Sequence, residues 1–320
     1  MINSYTPPSS QYSITQHLKI LTNDFKMFDD FEPFDIKTQS DPDVTIHGIS
    51  AGTGAPLLLL HGFPQTHHIW HLVAPQITSH FTIIIPDIRG YGASSKPLGV
   101  AQYARSLMAR DMAVLMSSLG FQELYVCAHD RGARVAHKLL VDYKERVRKA
   151  IFLDICPTLA MFNQTNFAFA KTYWHWFFLI QQHPLPEKLI TSELRKFAEL
   201  FMGGRYGGIE KFDKGVFEEY VKGLEDGETI RGMCEDYRAS STLDMEESEK
   251  DLREGRKIGC QLRVLWGKHG VIESQFEALK EWGKVSERAE GVSGWPVDCG
   301  HYIPEENPEE VVKNIRELFV

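Results

Sequence analysis

The chain has 320 residues, 43% of them hydrophobic, which suits one large α/β domain with an insertion and is too large for a small stapled module. A net charge of −8 and a pI near 5.9 exclude a nucleic-acid surface, because polyanion binding needs an excess of clustered Lys and Arg. The five cysteines (Cys127, Cys156, Cys234, Cys260 and Cys299) are scattered and show no C-x-x-C pairing, so the pattern favours a reducing, cytoplasmic setting over a disulfide framework or a zinc site.

Residues 1–26 contain Pro7-Pro8-Ser9-Ser10 and alternating polar residues but no continuous apolar stretch, so they read as a flexible extension and not as a secretory signal. From residue 27 onward, short β-rich apolar runs alternate with helical patterns, which predicts a mostly parallel sheet flanked by helices. The candidate strands are residues 44–48, 57–60, 82–85, 124–128, 151–154 and 263–266. Residues 158–257 break the alternation with helical, aromatic-rich sequence, including Tyr173-Trp174-His175-Trp176-Phe177-Phe178. That stretch reads as a helical cap inserted over the carboxyl ends of the strands, splitting the core into residues 27–157 and 258–320. The longest apolar runs, residues 57–60 and 174–180, are too short to span a membrane.

The run from Leu124 to His137 reads as a buried strand, a sharp turn and a helix, with the small residues Ala128 and Gly132 placed two before and two after Asp130. That is the shape of a nucleophile elbow, where strand and helix nearly collide. A serine at the tip attacks acyl carbons; a carboxylate there suits displacement at a saturated carbon, giving an alkyl ester that water then cleaves. The competing role for Asp130 is an N-cap, common for Asp in a β-to-α turn. Its companions favour chemistry. The loop His61-Gly62-Phe63-Pro64-Gln65 follows an apolar strand and offers the Phe63 amide to an oxyanion hole, with the Arg131 amide as the second donor. The Pro86-to-Gly92 loop is assigned a structural role, with Asp87 and Arg89 expected to pair locally.

Hydrolysis of an ester on Asp130 requires a general base, and His301, after a glycine near the chain end, is the candidate. Asp154, at the mouth of an apolar strand where a carboxylate needs a partner, is the orienting acid, with Glu273 as its rival. Arg131 and Arg134 both lie in the first turn of a helix whose amino end is already positive. Two guanidiniums there predict a bound anion, such as a carboxylate next to the reacting carbon; the competing reading is that they neutralise nearby acids.

These residues make the chain resemble the fluoroacetate dehalogenases, a branch of the α/β-hydrolase superfamily related to epoxide hydrolases and haloalkane dehalogenases. The likeness runs from about Met27 to Val320 through His61-Gly62-Phe63-Pro64-Gln65, Arg89-Gly90-Tyr91-Gly92 with Ser94-Ser95-Lys96-Pro97, His129-Asp130-Arg131-Gly132, Leu153-Asp154-Ile155, Tyr173-Trp174-His175-Trp176, Asp236-Tyr237-Arg238 and Gly300-His301. It implies an α/β-hydrolase fold with a helical cap. It also implies that Asp130 displaces halide, His301 activates water with Asp154 behind it, and Arg131 with Arg134 binds the substrate carboxylate. His175, Trp176 and Tyr237 would then donate hydrogen bonds to the departing halide; without the resemblance Trp174, His175 and Trp176 default to an aromatic core stripe of the cap and Tyr237 to an ordinary surface or packing tyrosine. Ala128 departs from the family's usual glycine. The resemblance implies no metal or organic cofactor, a small halogenated acid and water as partners, and a homodimer by analogy.

Two rival functions stay open in the residues. An epoxide hydrolase would use the same Asp130, His301 and Asp154 but needs two cap tyrosines; Tyr237 supplies one, and Trp176 stands where the resemblance puts the other. A catalytically silent ligand-binding protein on the same fold is opposed by the intact acid, base and nucleophile set.

Overall fold

The computed structural model describes residues 27–320, and the extension expected over residues 1–26 lies outside the described residues. Eight strands form one sheet: β1 (Glu32–Ser40), β2 (Asp43–Ala51), β3 (Ala55–Leu60), β4 (Phe81–Pro86), β5 (Leu124–His129), β6 (Val147–Leu153), β7 (Gln261–Gly267) and β8 (Val292–Val297). Their spatial order is β1-β2-β4-β3-β5-β6-β7-β8, with β2 antiparallel to both its neighbours and every other pairing parallel.

The six anticipated runs all lie in strands, except that Asp154 falls just past the end of β6. Two strands were not anticipated. The outer strand β1 alternates charged and apolar residues and is mostly exposed. β8 carries Gly294 and Pro296, which suit an edge strand that needs no second ladder. A Cβ on Gly294 would lie 1.9 Å from the Val264 carbonyl oxygen, so glycine is what allows β8 to approach β7.

The inner strands are apolar on both faces. Leu58, Leu60, Ile84, Val126 and Phe152 face one core, which also buries Met108 and Met112 of α1 (Arg105–Ser118) and Val135 and Leu139 of α2 (Asp130–Asp142). Leu57, Leu59, Ile83, Ile85 and Ile151 face the other, against Val311, Ile315 and Leu318 of the C-terminal helix Pro308–Phe319. All four leucines of β3 are fully buried, each contributing about 1.5–3 kcal/mol of hydrophobic stabilisation.

Between β6 and β7 the regular elements are all helical: α3 (Thr158–Asn163), α4 (Phe167–Thr172), α5 (Trp174–Leu179), α6 (Leu185–Ser192), α7 (Leu194–Gly203), α8 (Lys214–Glu225), α9 (Gly227–Ser240) and α10 (Leu243–Arg253), with a short 3-10 turn at Ile209–Lys211. Buried polar contacts fasten this insert to the core. Arg105 pairs with Asp236 at 2.7 Å and its amide donates to Asp244 at 2.8 Å. Glu305 accepts from Tyr220 of α8 at 3.0 Å and from Gln65 of the loop after β3. Among the described residues no helix is long and apolar enough to cross a membrane.

The loop after β4 corrects one expectation. Asp87 does pair locally, with the His67 ring at 2.9 Å and the amides of His67 and Ala93. Arg89 instead reaches α1, where it grips both oxygens of Asp111 at 2.7 and 2.8 Å. Both residues are structural.

The topology positions the site. β3 lies between β4 and β5, so the chain leaves the carboxyl ends of β3 and β5 in opposite senses and opens a crevice there. Leu60 pairs in register with Ala128, which brings the loop His61-Gly62-Phe63 against Asp130.

Candidate active site

Asp130 opens α2 with φ of +44°, a left-handed conformation that Asp tolerates better than most side chains. Two glycines allow the turn to close. A Cβ on Gly132 would lie 2.3 Å from the His61 carbonyl oxygen, and one on Gly62 would lie 2.5 Å from Cβ of Asp130. Ala128 is fully buried, and its methyl group is accommodated beside Leu60 and Phe152.

The Phe63 amide donates to Oδ1 of Asp130 at 3.0 Å, and Oδ2 accepts no hydrogen bond among the described residues. Burial works against ionisation of this carboxyl, but His301, His129, Arg134 and Arg131 outweigh it and hold Asp130 well below the usual carboxylate range. The group is therefore an anion with one oxygen anchored and the other unengaged.

Asp154 stands at the mouth of β6, also left-handed with φ of +52°. Its amide donates to the Leu265 carbonyl at 2.8 Å, its Oδ1 accepts the Gly267 amide at 2.9 Å, and its Oδ2 meets Nδ1 of His301 at 2.5 Å. Glu273, the rival acid, accepts instead from the Trp266 indole. A carboxylate on Nδ1 fixes the ring's tautomer and leaves Nε2 as the basic nitrogen. The His301 carbonyl is tied in turn to Nε2 of His129 at 2.9 Å. A carbonyl only accepts, so His129 donates; burial pushes this imidazole down to about 4, which keeps it neutral.

Arg131 and Arg134 are both buried, but their environments differ. Arg131 binds both carboxylate oxygens of Asp236, at 2.9 and 2.7 Å, along with the Asp236 carbonyl and the Ser240 hydroxyl. The neutralising role weighed from sequence thus describes most of this guanidinium, although its acid is Asp236 from α9. Only Nη1 of Arg131 stays buried without a partner. Arg134 forms no ion pair among the described residues. Its Nη1 donates to the Cys156 carbonyl and to Thr158, Nη2 approaches the Met161 sulfur, and Nε is unpartnered. Burial lowers this guanidinium to about 10, with Asp130 opposing the shift. One guanidinium N–H group on each arginine therefore stays unused, and both cations act on the anionic Asp130.

The residues of the insert form an aromatic wall facing the same turn. The His175 ring stacks on Phe63 at 6.2 Å, and the Tyr237 ring lies 5.2 Å from Phe63 and 6.4 Å from Trp176. The guanidinium of Arg131 sits 4.2 Å over Tyr237 and that of Arg134 sits 4.7 Å over Trp176. All three rings are buried, and neither Nδ1 of His175 nor the Trp176 indole nitrogen has a partner. Burial, then Arg205, drives the His175 imidazole well below its ordinary range, while burial and Asp130 raise the Tyr237 phenol. Both are neutral, so both can donate to an anion.

Three neighbours escaped the sequence reading. His129 lay inside the elbow motif without an assigned role, and Asp236 lay beside Tyr237 with no sign that it would reach Arg131. Arg205, which stacks on this wall, had no sequence signal at all. Among the described residues there is no cluster of three or more His, Cys, Asp or Glu able to hold a metal ion.

The family model for the α/β-hydrolase fold matches residues 55–190. A fluoroacetate dehalogenase from Burkholderia sp is 38% identical over 293 residues, covering 90% of this chain and 95% of that protein. A soluble epoxide hydrolase from Corynebacterium sp. (strain C12) is 30% identical over 277 residues, covering 86% of this chain and 93% of its own. The solved structure of ALR0039 from Nostoc sp PCC 7120 superposes with a TM-score of 0.86 at 40% identity, over 92% of this chain and 99% of that one. With its eight-stranded sheet, its elbow between β5 and α2, and relatives of this kind along nearly its whole described length, the chain belongs to the α/β-hydrolase family, among the fluoroacetate dehalogenases and epoxide hydrolases.

Proposed function

We propose that the protein is a hydrolytic dehalogenase of short 2-halo acids such as fluoroacetate, working through an ester on Asp130. The observation that carries this reading is the ionised elbow carboxylate with Oδ1 held by the Phe63 amide and Oδ2 unengaged. Oδ2 attacks the carbon bearing the halogen; the carbon–halogen bond breaks and halide leaves with the electron pair. Nη1 of Arg131 and Nε of Arg134 hold the substrate carboxylate, which aims that carbon at Asp130. His175, Trp176 and Tyr237 replace the hydration of the departing halide with fixed donors.

In the second half, Nε2 of His301 takes a proton from water while Asp154 stabilises the imidazolium. The resulting hydroxide attacks Cγ of Asp130. Charge builds on Oδ1, the oxygen that already accepts from Phe63 and that the Arg131 amide completes as an oxyanion. Collapse restores the carboxylate and frees a 2-hydroxy acid, so haloacid and water become hydroxy acid, halide and a proton. Four of the five cysteines are buried and all are free, which supports a reducing, cytoplasmic location. The homodimer rests on analogy with the dehalogenases.

The test is a single turnover of fluoroacetate by excess enzyme in heavy-oxygen water. Label is expected in the Asp130 carboxylate and not in the first-formed glycolate; label entering the product first overturns the covalent mechanism. A second reading, opening of an epoxide by the same carboxylate, draws on Tyr173, a buried tyrosine 5.1 Å from His175 and 5.8 Å from Trp176, which joins Tyr237 on the wall. Diol formation from styrene oxide without halide release from haloacetates would favour it.

A further inference from the structure

Arg205 follows α7 in a turn, and its guanidinium lies 5.1 Å from the Tyr173 ring and 5.2 Å from the Phe201 ring. Phe201 in turn packs 4.9 Å from His175 and 5.2 Å from Phe63, whose amide holds Asp130. The cation therefore stands against the aromatic wall of the site, two ring contacts from the reacting carboxylate.

Four other guanidiniums packed around the core and insert are committed to acids, Arg89 to Asp111, Arg105 and Arg131 to Asp236, and Arg238 to Glu187 at 2.8 Å, while Arg134 is held by the Cys156 carbonyl and Thr158. Arg205 forms no ion pair among the described residues, and Asp130 is the one carboxylate among the groups that chiefly feel its charge. A position just past α7 favours a cation through the helix dipole, but an exposed side chain would meet that need. Stacking on two rings fixes the plane of the guanidinium, whose N–H groups reach the Tyr302 hydroxyl and meet no carboxylate among the described residues, a disposition that leaves capacity to capture one. The carboxylate next to the reacting carbon already has Nη1 of Arg131 and Nε of Arg134, so Arg205 answers to a different anion.

We infer that Arg205 binds a second acidic group on the substrate, so that the site prefers short halogenated dicarboxylic acids over monoacids of the same length. The inference rests on the dehalogenase reading above and names its substrate class. The chemistry at Asp130 is unchanged, and the product is a 2-hydroxy diacid.

The experiment compares kcat/KM for halide release from 2-chlorosuccinate and 2-chlorobutanoate, which differ only in a carboxylate or a methyl group at the far end. Wild type is expected to favour the diacid by about tenfold or more, and Arg205→Met and Arg205→Gln to abolish that preference. Two variants of different polarity, each checked by its melting temperature, separate recognition from misfolding. A ratio that stays put in both variants overturns the inference, whether both acids slow alike, as a field on the departing halide would cause, or neither slows. A wild type that dechlorinates the monoacid better than the diacid also overturns it while sparing the dehalogenase reading. Absence of halide release from every haloacid, fluoroacetate included, sinks both.

Discussion

Gly62→Ala tests whether the position of Asp130 is set by the close approach of the loop after β3. An added Cβ would lie 2.5 Å from Cβ and 2.8 Å from Oδ1 of Asp130, where ordinary contact begins near 3.4 Å. Relief therefore requires a relative movement of about 0.9 Å, and the crowded backbone of Gly132 and His61 directs much of it into the carboxylate or its Phe63 donor. A displacement of about 1 Å at a reacting group costs on the order of 10²-fold in rate, equivalent to about 2.7 kcal/mol of barrier. The assay is kcat/KM for fluoride release from fluoroacetate, with melting temperature measured in parallel. Gly227→Ala is the control, because its added methyl meets nothing within 4 Å. The reasoning fails if Gly62→Ala keeps its rate within about threefold, or if Gly227→Ala loses as much.

Three other perturbations follow from the geometry. His301→Gln removes the base but not the nucleophile, so chloroacetate is expected to leave an ester on Asp130; an unchanged intact mass after prolonged incubation counts against the assigned order of steps. Asp236→Ala strips the shared partner from buried Arg131 and Arg105, and a loss of about 3–5 kcal/mol is expected from urea unfolding; less than about 1 kcal/mol would show that the pairs carry little. His129 is fully buried and burial depresses it from 6.5 to about 4, so the unfolded chain takes up its proton first as pH falls. Its contribution to stability, about 3 kcal/mol, is complete above pH 6.5 and lost progressively toward pH 4. Urea midpoints unchanged between pH 7 and 4.5 contradict that assignment.

The inner strands were legible because burial on both faces leaves uninterrupted apolar runs such as Leu57 to Leu60. The outer strands β1 and β8 were not, since an edge tolerates charge, Gly294 and Pro296 without penalty. Asp130, Asp154 and His301 stood out because each sits at a strand end or beside a glycine, a local signature. Arg131 was half read. Its helix position was visible, but its partner Asp236 is 105 residues away on the insert, and one sequence cannot reveal which distant acid answers a buried base. Arg205 fell outside the reading for the same reason, because its significance comes only from the rings that tertiary packing brings beneath it.

The left-handed turns at Asp130 and Asp154 bear on whether this is a working enzyme or an idle scaffold. Each strained residue destabilises the fold by about 1 kcal/mol, a penalty that glycine would not incur. Drift under selection for shape alone would let both corners relax to glycine and gain stability at once. Both corners instead carry carboxylates, one with an unengaged oxygen and one bound to the His301 ring, and glycine would supply neither.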